Sequence, residues 1–250
     1  MTGCIVNCKV KIFASPYILA EKFAEELVLM INESAKKKRP LTIALSGGST
    51  PELLFSVLGD HFSKSAEWEF VHFFWGDERC VPDDTPESNF GIARIKFLEK
   101  IELPSENIDR IVGEDNPEDE ACRYSEEISR YTGKRDGLPL FDMIILGLGE
   151  DGHTASIFPA NKELLESVNI CEVAVHPVTK QKRITITGRV INNADAVIFL
   201  VTGKKKAGIV EKILNKNSAA LLFPAYYIEP VYGAIRWLLD EESGSLVQDL

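Results

Sequence analysis

Hydrophobic positions along the chain fall into two alternating rhythms. Continuous apolar runs recur at LTIAL (41–45), FVHFFW (70–75), FDMIILGL (141–148) and AVIFLV (196–201). Runs without polar alternation are what strands show when both faces of their sheet are covered. KVKIF (9–13), EVAVH (172–176), RITIT (183–187) and AALLF (219–223) complete the expected strands. Between the strands the spacing turns helical. In the segment that opens at Ser15, Leu19, Phe23, Leu27, Met30 and Ile31 recur at helical steps. Ser15 suits the N-cap and Pro16 the first helical position. Lys36, Lys37 and Lys38 suit the negative end of the helix dipole. Further helices are expected at 51–58, 88–100, 118–131 and 204–214, and loops at 113–120 and 133–139. Neither loop is long enough to link domains. The alternation predicts one α/β domain over residues 1–250: a single Rossmann-like, doubly wound, mostly parallel sheet with helices on both faces.

Composition adds exclusions. At 250 residues, with 45% hydrophobic and 26% charged residues, the chain has the make-up of a globular protein. Its 28 basic and 38 acidic residues give a net charge of −10, which argues against a nucleic-acid partner. An anionic ligand would need a few placed Arg or Lys side chains to reverse the local sign. No run approaches the roughly 18 apolar residues of a membrane helix. The opening MTGCIVNCKVKIF lacks the basic-then-apolar order of a secretory signal. Of five cysteines only Cys4 and Cys8 are close, and no second Cys/His pair completes a zinc site. Reduced thiols and a cytoplasmic location are the expectation.

Four stretches carry candidate chemistry, each with a plain structural alternative. In LTIALSGGSTPELL a strand ends in a Gly/Ser loop and Pro51 opens a helix. The loop is either a tight βα turn or a phosphate cradle built from backbone N–H groups with the hydroxyls of Ser46, Ser49 and Thr50. It is neither a Walker A loop nor a dinucleotide fingerprint. In FFWGDERCVPDDTPESNFGIAR, Asp77, Glu78 and Arg79 follow a strand, where open α/β sheets bind ligands. A surface ion-pair cluster fits them as well. Ser88 is a candidate N-cap.

The third stretch, LGLGEDGHTASIFP, sets Asp151 and His153 in a glycine turn before a probable helix start. An imidazole there is titratable near neutral pH, or it merely caps the turn. Metal ligation is disfavoured, because His61, His72 and His176 show no ligand spacing with it. In the fourth stretch, Arg183 heads RITIT, and Lys204, Lys205 and Lys206 open a helix. Lysines at a helix start oppose the dipole, so either they form a solvated run or an anion answers them. There is no GxSxG elbow.

Taken together, LSGGSTPELL, GDERCVPDDTPESN, LGLGEDGHTASIFP, RITIT and TGKKKA resemble, in order and over roughly residues 10–240, the glucosamine-6-phosphate isomerase/6-phosphogluconolactonase family. The resemblance is closer to its lactonase branch. It implies hydrolysis of 6-phospho-D-glucono-1,5-lactone without metal or cofactor, by a monomer or small homo-oligomer. It also implies that His153 is the general base, with Asp151 and Asp77 at acidic active-site positions. Arg79, Arg183 and Lys206 match basic residues around phosphate and lactone, and Gly47, Gly48 and Ser49, with the adjoining Thr50, match the phosphate loop. Lys206 is chosen because the family's lysine directly precedes an alanine, here Ala207. The isomerase branch resembles DGHIAFNEP, with a glutamate where this chain has Phe158, and carries DEY where this chain has DER. A phosphosugar-sensing regulator would normally add a DNA-binding helix-turn-helix, for which the early first strand leaves no room.

Overall fold

The structure, a computed structural model, describes residues 7–247. Its strands in chain order are β1 (Asn7–Phe13), β2 (Leu41–Leu45), β3 (Val71–Trp75), β4 (Asp77–Arg79), β5 (Ile108–Asp109), β6 (Gly133–Arg135), β7 (Leu138–Leu140), β8 (Met143–Leu146), β9 (Cys171–Val175), β10 (Lys182–Ile186), β11 (Ala196–Val201) and β12 (Ala234–Asp240). The α-helices are α1 (Pro16–Lys36), α2 (Ser49–His61), α3 (Asn89–Lys96), α4 (Pro117–Tyr131), α5 (Gly188–Ile191) and α6 (Ala207–Leu214).

Seven strands form a wholly parallel sheet in the order β1-β12-β11-β8-β2-β3-β5. Every residue of β2 and β8 is buried, as the unbroken apolar runs require. From β2 the chain steps outward through β3 to β5, and from β8 it steps the other way through β11 to β12. Right-handed crossovers in opposite directions put helices on opposite faces. The reversal falls between β2 and β8, so a crevice opens at their carboxyl ends. β4, β10 and β9 form a separate antiparallel sheet, and β6 with β7 a hairpin.

Local chemistry explains the helix ends. The Ser15 hydroxyl accepts from the Ile18 N–H, Pro16 occupies the first turn, and Leu19, Phe23, Leu27 and Ile31 are buried. Ser88 accepts from the Gly91 N–H at the start of α3. The helix expected over 88–100 ends at Lys96, and a 3-10 turn covers Leu98–Lys100.

Three expectations need correction. AALLF (219–223) is not a strand: Ser218–Leu222 is a 3-10 turn, capped by the Asn217 side chain on the Ala219 N–H. Pro224, which lacks a donor, follows directly, and Leu221 and Leu222 lie exposed. The strand is instead AIRWLLD, β12, where Trp237 stacks on Phe199 at 4.1 Å. The strands near 172–176 and 183–187 exist, each starting one residue earlier, but they pair antiparallel outside the main sheet. The expected loop at 133–139 holds the β6–β7 hairpin.

Cys8, Cys80, Cys122 and Cys171 are free thiols, and Cys4 lies outside the described residues. Among the described residues no helix is long and apolar enough to cross a membrane.

Candidate active site

The crevice at the carboxyl ends of β2 and β8 is a cleft of about 230 Å³ that opens to solvent. Gly47, Gly48, Ser49, Thr50, Asp77, Arg79, His153, Arg183 and Lys206 all line it. Asp151 meets it through His153. These ten residues come from five segments far apart in sequence, so the topology gathers them.

The loop after β2 enters α2 through Gly48, at φ +103°. Among the described residues no side chain caps the first N–H groups of this helix. A Cβ at Gly47 would sit 1.8 Å from the Asn89 side-chain oxygen, so only glycine allows this approach. Asn89 in turn donates to the Asp77 carbonyl at 2.8 Å. The Thr50 hydroxyl lies 2.8 Å from that of Thr202, tying this loop to the one after β11.

The turn after β8 is closed by the Gly149 N–H on the His153 carbonyl, 2.8 Å. Asp151 Oδ1 lies 2.5 Å from His153 Nδ1 and accepts from the His153 N–H at 3.1 Å. Burial acts to raise the Asp151 carboxyl, but the bonds from His153 outweigh it and hold it at about 2. An ionised Asp151 keeps the neutral ring's proton on Nδ1, which leaves the Nε2 lone pair as the acceptor. A Cβ on Gly149 would stand 2.0 Å from Nδ1. The helix start expected here is absent: Thr154 and Ile157 form a bridge, and the Thr154 hydroxyl donates to the Gly147 carbonyl at 2.9 Å. That bond holds the chain in the turn, and only a 3-10 segment follows at Pro159–Leu165. Phe158 is fully buried with its ring 4.8 Å from that of His153.

The small sheet supplies the opposite wall. In its register Arg183 stands directly opposite Arg79, and Thr185 opposite Asp77. Asp77 Oδ2 accepts from the Ser156 hydroxyl at 2.6 Å, and the Ser156 N–H donates to the Thr185 hydroxyl at 3.2 Å. Of the two acidic candidates, Asp151 is therefore the one bonded to His153. Glu78, the intervening residue of β4, is buried. It accepts from the N–H groups of Arg79, Asn89 and Phe90 and from the Ser88 hydroxyl, at 2.7–3.0 Å. Burial pushes its carboxyl up against the pull of those bonds.

Like charges directly opposite in an antiparallel pair destabilise it. Among the described residues, the Arg79 guanidinium nevertheless donates to the Glu87 carbonyl and that of Arg183 to the Gln181 side-chain oxygen at 3.2 Å. Both Nε atoms are buried without a hydrogen-bond partner among the described residues. Burial, then the charge of Arg79, lowers the Arg183 pKa. Lys206 is half-buried and its pKa is lowered by burial, while Lys204 and Lys205 lie exposed. It follows Gly203, at φ +94°, whose N–H donates to both Asp240 oxygens at 3.1 Å. In a chain of net charge −10, three cations thus line one cleft.

Sequence reasoning did not single out Asn89, Ser156, Gln181 or Asp240, and it named Glu78 without foreseeing its burial. Asn89 and Ser156 stood inside quoted motifs, but their partners are distant in sequence. Among the described residues no group of three or more His, Cys, Asp or Glu side chains is placed to hold a metal ion.

Residues 14–237 match the family model described as glucosamine-6-phosphate isomerases/6-phosphogluconolactonase. The 6-phosphogluconolactonase of Treponema pallidum is 40% identical over 207 residues, 83% of this chain and 86% of its own. That of Haemophilus influenzae is 39% identical over 228 residues, covering 91% and 94%. The solved 6-phosphogluconolactonase of Trypanosoma brucei superposes with a TM-score of 0.85 at 30% identity, covering 97% of this chain and all of the other. The chain belongs to the glucosamine-6-phosphate isomerase/6-phosphogluconolactonase family.

Proposed function

We infer that this protein is a 6-phosphogluconolactonase, hydrolysing 6-phospho-D-glucono-1,5-lactone to 6-phospho-D-gluconate in the oxidative pentose phosphate pathway. The observation that carries the reading is the cross-strand pair Arg79–Arg183, facing the same cleft as the Asp151–His153 pair. One element is built for an anion and the other for a proton.

In this reading His153 Nε2 takes a proton from water as the oxygen bonds to the lactone carbonyl carbon. The imidazolium is stabilised by Asp151. The tetrahedral intermediate carries an oxyanion, and its collapse breaks the bond between that carbon and the ring oxygen. The imidazolium returns its proton to the departing ring oxygen, which becomes a hydroxyl, and the new carboxylic acid ionises. A placed base contributes about 10²–10⁴-fold. The oxyanion and the phosphate are the two charges to be neutralised. Arg79, Arg183, Lys206 and the uncapped N–H groups of α2 are the donors available. Binding energy from the phosphate, remote from the reacting carbon, holds the carbonyl against the base. The reaction as written calls on no cofactor or metal. We keep a monomer or small homo-oligomer and a cytoplasmic location as part of this proposal.

The sister reaction, isomerisation of an amino-sugar phosphate, calls for a proton-transferring side chain at the place of Phe158. A buried phenyl ring cannot supply it. The test is the decay of freshly generated 6-phosphogluconolactone with the spontaneous rate subtracted, run beside ammonia release from glucosamine 6-phosphate. Acceleration of the first without the second is expected. Ammonia release, or no acceleration, would overturn the assignment.

A further inference from the structure

Arg183 reaches the cleft from β10, and Gln181 is the residue just before that strand. The backbone of Gln181 is fixed, since its carbonyl accepts from the His176 N–H at 2.9 Å and the Lys180 N–H closes on the His176 carbonyl at 3.0 Å. Its side-chain amide is held at both ends. Oε1 accepts from Arg183 at 3.2 Å, and Nε2 donates to the Glu87 carboxylate at 2.6 Å. The Glu87 carbonyl is the acceptor for Arg79. One neutral side chain thus links the hairpin before β10 to the segment that braces the opposite guanidinium.

The residue type matters. A carboxylate at 181 would pair with Arg183, cancel the charge that a ligand needs, and face Glu87 with like charge. A cation would add to the repulsion between Arg79 and Arg183. An aliphatic side chain would leave Arg183 untethered. An amide accepts from a guanidinium without neutralising it. We propose that Gln181 is a positioning residue for the anion site, holding Arg183 toward the cleft with its charge intact and coupling it through Glu87 to Arg79. Resting on the lactonase reading, this assigns Gln181 to recognition of the substrate's phosphate.

The experiment compares wild type, Gln181→Leu and Gln181→Glu on 6-phosphogluconolactone and on unphosphorylated glucono-1,5-lactone, with inhibition by 6-phosphogluconate. Gln181→Leu is expected to raise KM and the inhibition constant about 10-fold, the worth of one hydrogen bond to a charged group, with kcat within about twofold. Activity on the unphosphorylated lactone stays unchanged. Gln181→Glu weakens binding further, and it carries the same test should Gln181→Leu not fold. Unchanged KM in folded variants, or equal losses on both lactones, overturns the proposal. If wild type does not accelerate either lactone, the assignment of activity fails. Direct binding of inorganic phosphate then decides on Gln181: weaker in Gln181→Leu supports it, equal overturns it.

Discussion

In the seven-stranded sheet, β2 and β8 bury every residue, and Phe199 stacks on Trp237 at 4.1 Å between neighbouring strands. In the three-stranded sheet, a register of three residues brings Arg79 against Arg183 and Asp77 against Thr185. The first is held by apolar burial that does not depend on what occupies the cleft. The second sets two guanidinium groups directly opposite each other beside the carboxylates of Asp77 and Glu78, and in the proposed reading an anion in the cleft answers the arginines. In the proposed reading, stability and binding are thus divided between two sheets that meet at one cleft.

The largest effect expected of breaking this division is in the parallel sheet. Trp237→Ala removes a buried ring and should cost about 3–5 kcal/mol of unfolding free energy in urea titration. The loss should be the same with and without saturating 6-phosphogluconate once binding to the folded state is allowed for. Next comes the turn that joins the sheets. Gly149→Ala drives a methyl group against His153 Nδ1, and a base displaced by an ångström loses about 100-fold in kcat. The folded protein should still bind 6-phosphogluconate in calorimetry. Smaller is ligand stabilisation. At ten times Kd, 6-phosphogluconate should add about 1.4 kcal/mol to wild type. At the same concentration it should add far less to Arg183→Ala, whose unliganded form should be no less stable than wild type. Stabilisation of both to the same degree would take Arg183 out of the site.

The smallest effect is in acid. The Asp151 carboxyl lies at about 2 in the folded protein, below the roughly 3.9 of a free aspartate. A depressed folded value contributes stability that is fully present above the free value and is lost as pH falls through about 2. Wild type should therefore lose stability more steeply than Asp151→Asn between pH 4 and 2. The difference should be slight, because this side chain is 45% exposed. Parallel curves would show that the bond to His153 does not hold the carboxyl.

How far the sequence foretold this differs by element. LTIAL and AVIFLV are β2 and β11 residue for residue, because a strand covered on both faces has one apolar signature. AIRWLLD escaped notice because Arg236 interrupts it, and its charge is answered by Glu26, 210 residues away. AALLF misled because apolar content alone does not separate a strand from a capped 3-10 turn. All ten site residues stood in quoted motifs, since glycine turns and strand ends mark themselves locally. Their pairing was not legible. Asp151 and Asp77 looked equivalent until the fold put one on His153 and the other on Ser156. The opposition of Arg79 and Arg183 is a matter of register between distant strands.

The most direct measurement is steady-state hydrolysis of 6-phosphogluconolactone, with spontaneous decay subtracted, by wild type, His153→Gln and Arg183→Ala. The proposed base on one wall and the proposed anion anchor on the other predict separate failures. His153→Gln should lose about 10²–10⁴-fold in kcat with KM nearly kept, and Arg183→Ala should raise KM with kcat nearly kept. A His153→Gln protein that folds and retains wild-type kcat would contradict the account.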